Sequence, residues 1–387
     1  MMNSFHYCSS CLSTSLRPNG WFEKDGICLP CNSIDKDIGI NYNSRVNFLK
    51  KYITQIKENC LETFPNNKKY DCIVGVSGGK DSTRQALWVR EKLGMRPLLV
   101  CITYPPRQST ELGKRNLENL ISLGFDIVTY TPAPETSRKL TLEGFKRFGN
   151  VSKATEMALH SEVPKVAINE NIKLIFWGGN PATQTGDTAT MGENLFDGSN
   201  LRNLNTLTDG GVRWIEKLNL PKSKFLTYLY PEYDWLKTNG IHTLYLGPAW
   251  DNWSMYDNSL FSVLYGLEIN QKLPQTTGDY FRTSMLDEEF TNINMMIKYF
   301  KYGFGRATDI VNSMIRTKLI KRDRAIKIVD ELDGVCSDEI IENFCDYVGI
   351  NTGTFWNIVN GFVNNDIFKI KSGTRPKPMF KVGFGLI

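Results

Sequence analysis

The apolar run Asp71–Val76 (DCIVGV) passes directly into Ser77-Gly78-Gly79-Lys80-Asp81-Ser82 and then into Thr83–Gly94 (TRQALWVREKLG). The first piece is short and apolar, as a strand buried on both faces is. In the last, Ala86, Val89 and Leu93 recur at helical spacing, and Gly94 supplies a stop. A buried strand, a two-glycine turn and a helix open a βαβ unit, which commits the chain to a parallel α/β sheet. The turn is also an anion cradle. Its glycines let backbone N–H groups face a ligand closely, and the helix adds its positive end. Lys80 brings a full charge, Ser77 and Ser82 bring hydroxyls, and Asp81 suits either Mg2+ or the helix cap. This is not a Walker A loop, which would need glycine at Val74 and a hydroxyl at Asp81.

The alternation continues along the chain. Residues 41–64 read as a helix, with Val46, Leu49, Ile53 and Ile56 on one face. Residues 96–104, 124–132, 173–181 and 242–248 read as strands, with helical stretches at 109–123 and about 140–170. Asn205–Ile215 (NTLTDGGVRWI) resembles a hairpin, and from about residue 286 the pattern turns helical. The expectation is a doubly wound parallel sheet in residues 41–255, preceded by a module in 1–40 and followed by a mainly helical region in 256–387.

The first module is defined by cysteine. Four of the nine cysteines, Cys8, Cys11, Cys28 and Cys31, form C-x2-C, a sixteen-residue spacer and C-x2-C. That is the spacing of a closed tetrahedral thiolate site for Zn2+ with a structural role. Two disulfides or four free thiols are the alternatives. His6 is expected to be exposed. Cys60, Cys72, Cys101, Cys336 and Cys345 have no ligand spacing, and Cys72 and Cys101 sit in apolar runs, as core residues do.

The remaining composition excludes several classes. A net charge of +5 on 387 residues allows anionic small molecules but is slight for a nucleic-acid surface. No apolar run approaches a membrane span, and the first residues lack a signal peptide, so a cytoplasmic, reducing location is expected.

SGGKDS after the first strand resembles the PP-loop ATPases. The resemblance implies a HUP-type α/β sheet and cleavage of ATP between its α and β phosphates. Ser77, Gly78, Gly79, Lys80, Asp81 and Ser82 would hold the phosphates and Mg2+, and Thr103, after the second strand, would lie near the adenine. More of the chain is similar to the N-acetyl sugar amidotransferases of the WbpG and PseA type. That likeness is carried by the four-cysteine site, the loop, Gly178-Gly179-Asn180-Pro181, Leu246-Gly247-Pro248-Ala249-Trp250-Asp251 and Lys301-Tyr302-Gly303-Phe304-Gly305-Arg306. Gly179 departs from the glutamate expected there, and the residues before Trp250 depart from the usual aromatic pair.

This second resemblance implies conversion of a sugar acetamido group to an acetamidino group through an O-adenylated intermediate, in O-antigen lipopolysaccharide or related surface-glycan synthesis. The substrate would be a nucleotide-linked sugar or a nonulosonate. Ammonia would come from a separate glutaminase with a cyclase-like subunit, similar to HisH and HisF, and no nucleic acid would bind.

On this reading Lys80, Asp81 and Arg306 are catalytic. Asn180, Trp250, Asp251 and Arg306 bind the sugar, and Lys298, Lys301 and Asp309 cluster with Arg306. Each has a bland alternative: Trp250 as core, Asn180 and Asp187 as turn formers, and the basic group as a solvated helix connection. His160 and His242 are given no catalytic role. The alternative function is a PP-loop tRNA-modifying enzyme of the thiolation type.

Overall fold

The computed structural model describes residues 5–37, 41–59, 69–204, 207, 213–250, 253–371 and 375–386. Five strands form one sheet: β1 Cys72–Val76, β2 Pro97–Ile102, β3 Ile127–Tyr130, β4 Leu174–Trp177 and β5 His242–Tyr245. All pairings are parallel and the order is β3-β2-β1-β4-β5. The chain therefore builds outward from β1 through β2 and β3, then crosses back to place β4 on the other side of β1. Such a reversal opens a crevice at the carboxyl ends of the two central strands.

The period-two alternation of the strands sorts their side chains between two layers. Cys72, Val74 and Val76 face one core with Leu99, Cys101 and Phe176. After α1 (Leu29–Asp37), that face is covered by α2 (Tyr42–Asn59) through Leu49, Ile53 and Ile56, and by α3 (Lys80–Lys92) through Ala86, Leu87 and Val89. Ile73, Leu98, Val100 and Ile175 face the other way, against Val163 and Ala167 of α6 (Lys153–Asn169). The helical stretch expected near 140–170 is two helices. α5 (Pro134–Phe148) ends at Gly149 in the left-handed region, and α6 begins after it. α4 (Glu111–Ser122) lies between β2 and β3 in the chain.

Of the expected hairpin, residues 205, 206 and 208–212 lie outside the described residues, as do Cys60–Thr63 and Phe64 of the first long helix. Arg213–Glu216 is a single helical turn.

The C-terminal region holds the helices Thr291–Tyr302, Arg306–Arg316, Arg322–Leu332, Asp338–Val348 and Thr352–Asn360. They enclose a second large core, to which the N-terminal module contributes Phe5 and Leu12. Further bonds tie the two ends of the chain together. The Leu12 amide donates to Asn312 Oδ1 at 2.7 Å, and the Thr14 hydroxyl donates to the Tyr302 carbonyl at 3.0 Å. Short antiparallel ribbons close the C-terminus, Phe368–Lys369 with Lys377–Pro378 and Phe380–Lys381 with Gly385–Leu386. Among the described residues no helix is long and apolar enough to cross a membrane.

Candidate active site

β1 ends at Val76, and the next residues turn back before α3. Gly78 has φ of +78°, and a Cβ there would stand 3.0 Å from the Leu117 amide nitrogen of α4. Both facts demand glycine. The two serines brace the loop from inside. The Ser77 amide donates to Ser82 Oγ at 3.3 Å, Ser82 Oγ donates to the Gly79 carbonyl at 3.1 Å, and the Gly79 amide donates to Ser77 Oγ at 3.4 Å. α3 then starts at Lys80 with no side-chain cap, so its first-turn N–H groups are left for a ligand.

Lys80 is buried. Its Nζ lies 3.0 Å from Asp81 Oδ2 and 3.4 Å from Ser284 Oγ. Asp81 also accepts from Asn258 Nδ2 at 2.7 Å. Burial opposes ionisation of Asp81, but the Lys80 charge and the Asn258 bond outweigh it and hold the carboxyl below its usual range. The result is an ionised carboxylate beside a cation, both at the mouth of a helix, which suits a phosphate with its divalent ion.

The loop borders a cavity of about 1200 Å3. Pockets for one small ligand run to roughly 300–1,000 Å3, so this space can take two. Of the loop residues, Ser77, Gly79, Lys80, Asp81 and Ser82 line it. Asn180, Trp250 and Arg306 line it as well, so most of the residues singled out from sequence converge. Their polar groups are used differently. The Asn180 side chain is consumed by structure, since its Oδ1 caps Ala182 N at 2.9 Å and its Nδ2 donates to the Leu195 carbonyl at 3.0 Å. Trp250 packs edge-on to Trp253 and leaves its buried Nε1 without a partner. Arg306 also has a buried Nε with no partner. Gly78 lies behind the loop, and Thr103 pairs with Thr131 instead of lining the cavity. Asp251 lies outside the described residues.

Several wall residues had no signal in the sequence. His160 of α6 stacks on Trp177 with ring centroids 5.1 Å apart and 19° between planes. Its Nδ1 lies 2.9 Å from the Glu156 carbonyl, which can only accept, so the proton is assigned to Nδ1 and Nε2 keeps its lone pair. Burial pulls its pKa down, which keeps the ring neutral. Trp177 can lie across β1 because Gly75 has no side chain; a Cβ there would be 2.7 Å from the indole. Asp287, Arg316 and Arg17 also line the cavity. Burial pushes Asp287 up to about 6, with a hydrogen bond to Tyr104 acting the other way. His242 and Lys301 are not on the wall, and Lys301 donates to the Phe148 carbonyl at 2.9 Å.

Arg17 brings the cysteine module to this wall. It pairs with Asp309, which also takes Lys298 Nζ at 2.7 Å. Asp309 is part-buried, which opposes its charge, yet the Lys298 and Arg17 charges hold it well below the usual carboxylate range. Asp187, which does not line the cavity, takes a bond from Asn19 Nδ2 of the same module at 2.9 Å.

The ligating atoms of Cys8, Cys11, Cys28 and Cys31 all lie within 4.8 Å of one another, and all four residues are buried. Cys11 and Cys28 Sγ are 3.7 Å apart. A tetrahedral ion with metal–sulfur bonds of about 2.3 Å needs sulfurs about 3.8 Å apart, so the set fits one such ion. The amides of Cys28 and Ser13 point at Cys8 Sγ and Cys11 Sγ, 3.3 and 3.4 Å away, as donors to thiolates do. His6 is exposed and is not part of the set. Cys72, Cys101, Cys336 and Cys345 are buried free thiols away from the cavity, and Cys60 lies outside the described residues.

Residues 276–381 match the family described as "LPS biosynthesis protein WbpG-like, C-terminal domain". That segment supplies Ser284, Asp287, Arg306, Asp309 and Arg316 to the cavity wall. No curated protein matches the chain. Among solved structures, the U34-tRNA thiolase NcsA from Methanococcus maripaludis, with its 4Fe-4S cluster, is 12% identical with a TM-score of 0.29; the match covers 73% of this chain and 81% of that one. NMN synthetase from Francisella tularensis is 14% identical with a TM-score of 0.26, covering 60% of this chain and 99% of that one.

Proposed function

We propose that this chain, whose C-terminal segment is WbpG-like, is an ATP-dependent, AMP-forming amidotransferase. It acts on the acetamido group of a bacterial surface-glycan sugar precursor and makes an acetamidino group, with ammonia as nitrogen donor. The observation that carries this reading is the meeting of two parts across one cavity. The phosphate-type loop at α3 forms one side, and the WbpG-like segment forms another.

The chemistry explains why both are needed. An amide carbonyl is a poor electrophile because nitrogen donates into it. Attack of the amide oxygen on the α-phosphorus of ATP forms an O–P bond, breaks the bond to the β-phosphate and expels pyrophosphate. The carbon then carries AMP as a leaving group. Ammonia adds, loses a proton, and AMP departs with the C–O bond to leave the amidine. In this scheme the loop amides and Lys80 hold the β and γ phosphates. Asp81 carries Mg2+, oriented by Asn258. Arg306, which acts electrostatically on Asp81, neutralises charge at the reacting phosphate. The four thiolates hold Zn2+ as a closed structural site, with no position left for a substrate.

Ammonia delivered by a glutaminase with a cyclase-like subunit belongs to the same proposal. tRNA thiolation is less well supported, because none of the described cysteines borders the cavity.

The test is direct. ATP, Mg2+, ammonia and a panel of acetamido sugars should give AMP and a product with NH in place of O by mass spectrometry. Lys80→Ala should abolish both with the melting curve intact. No AMP with any nucleotide-linked or nonulosonate sugar refutes the reading.

A further inference from the structure

The helix Arg306–Arg316 shows two faces. Ala307, Ile310, Val311 and Met314 are buried on one of them. Arg306, Asp309, Ser313 and Arg316 fall three or four positions apart and so share the other, with the cap residue Thr317 four positions after Ser313. On most helices such a polar stripe would face water. Here all five residues border the cavity.

The stripe is rich in cation. Its one carboxylate, Asp309, is already shared by Arg17 and Lys298. Among the described residues, neither Arg306 nor Arg316 makes an ion pair, and the buried Nε of each lacks a hydrogen-bond partner. Arg316 is held in place by donating Nη1 to the Gln184 carbonyl at 3.0 Å. Its chain neighbour Ile315 packs against the four cysteines. Ten residues of helix span about 15 Å, so the two ends of the stripe are well separated. Arg306 is at the end that acts electrostatically on Asp81, and Arg316 is at the end whose Ile315 packs on the cysteine module. Buried guanidinium donors without partners are costly unless a ligand supplies acceptors.

We propose that the Arg316 end of this stripe, with Ser313, is a second anion subsite, separate from the loop at α3; the Thr317 hydroxyl borders it but already donates to the Ser313 carbonyl at 3.0 Å. It holds an oxyanion carried by the sugar substrate itself, either a diphosphate or a carboxylate. The sugar would then lie along the stripe, its anion at Arg316 and its reacting group toward Arg306 and Lys80. This naming of the ligand rests on the amidotransferase reading; the existence of a second anion site does not.

The experiment is calorimetry with the loop saturated by α,β-methylene-ATP. Inorganic pyrophosphate is titrated in one arm and N-acetylneuraminate in the other. At least one should bind, and which one does identifies the anion. Arg316→Gln should weaken that probe about tenfold or more, the scale of a lost charged hydrogen bond, and leave the ATP analogue's affinity unchanged. Lys80→Ala should do the reverse. Zinc content and the melting temperature of Arg316→Gln are measured alongside. Failure of both probes to bind overturns the proposal. So does an Arg316→Gln protein with unaltered probe affinity, whatever its metal content, because Arg316 would then serve only to hold the Gln184 carbonyl. The readout is equilibrium binding, so a failure to form AMP would refute the amidotransferase reading and leave this result standing.

Discussion

Asn258 Nδ2 donates to Asp81 Oδ1 across 2.7 Å, joining two residues 177 positions apart. The amide cannot flip freely, because Arg84 Nη1 donates to its Oδ1 at 2.6 Å. Asn258 is buried, at 1% exposure, while the Asp81 side chain is half exposed to the cavity, so the bond anchors an open carboxylate to a fixed amide. It fixes which oxygens of Asp81 remain available to an ion. Asn258→Ala should therefore lower Mg2+-dependent AMP formation by about 10–100-fold, the usual cost of losing a partner that orients a metal ligand. The requirement for Mg2+ should rise in the same variant, while ATP-analogue binding without Mg2+ changes little. A magnesium titration of turnover checks both.

The two loop glycines should respond differently to the same substitution. Gly78→Ala puts a Cβ at positive φ and 3.0 Å from α4 backbone. Left-handed strain alone costs about 1–2 kcal/mol for a non-glycine residue. At Gly79 φ is −79°, and the nearest atom to a new Cβ is Ser77 Oγ at 3.3 Å, the end of a short side chain that can turn. Gly78→Ala should lower the melting temperature by several degrees and weaken ATP-analogue binding strongly. Gly79→Ala should spare the fold and act on binding alone. Thermal melts of the two variants side by side decide this.

Metal removal should loosen more than the first 37 residues. The cysteine module shares a core with the C-terminal helices through Phe5 and Leu12, and it presents Arg17 to Asp309. Purified protein should hold one zinc, and a Cys11→Ser variant should lose it. The variant should show raised hydrogen exchange both in the module and along Arg306–Arg316. Loss of zinc with exchange confined to the module would show that the two units are not coupled.

The contribution of Asp287 and Glu288 to stability should fall as pH rises from acid toward pH 8, against the opposite trend of Asp81 and Asp309, whose carboxyls are held low. Burial raises Asp287 from 3.8 to about 6. Burial, with the Asp287 charge added, raises Glu288 from 4.5 to about 8. The other titratable groups that feel this pair are Cys101, Tyr104 and Tyr347, all themselves raised by burial. A folded pKa above the unfolded one means that the native state binds protons more tightly. The stabilisation is therefore full below the unfolded values and is lost as pH rises through the folded ones. Glu288→Gln should flatten the upper part of this loss, between about pH 6 and pH 8. Urea unfolding of both proteins across pH 4 to 8 measures it.

The legible parts of this protein are those whose causes are local. Residues 71–94 read as strand, glycine turn and helix because burial, backbone freedom and helical spacing are all written within a few positions. The C-x2-C pairs were legible for the same reason, since a two-residue spacer brings its thiols together without help. The central strands were found, and the division of Cys72, Val74 and Val76 from Ile73 follows from period two. That Lys80 and Arg306 border one cavity is implied in the sequence only by family resemblance, because nothing in their separation along the chain brings them together.

What only the tertiary structure decided is which side chains are spent and which are free. Asn180 and Arg306 look equally polar in the sequence. Packing around Leu195 and Ala182 uses up the Asn180 amide, and the cavity leaves the Arg306 Nε bare. His160 and Arg316 carry no motif at all. They become wall residues because α6 and the helix Arg306–Arg316 happen to end their burial at the cavity edge. The sequence determined the loop, the thiolate set and the layered sheet, whose interactions span a few residues each. The site was decided by folding, because its contacts join positions 17, 81, 258, 287 and 316, and only the packed cores hold these at one place.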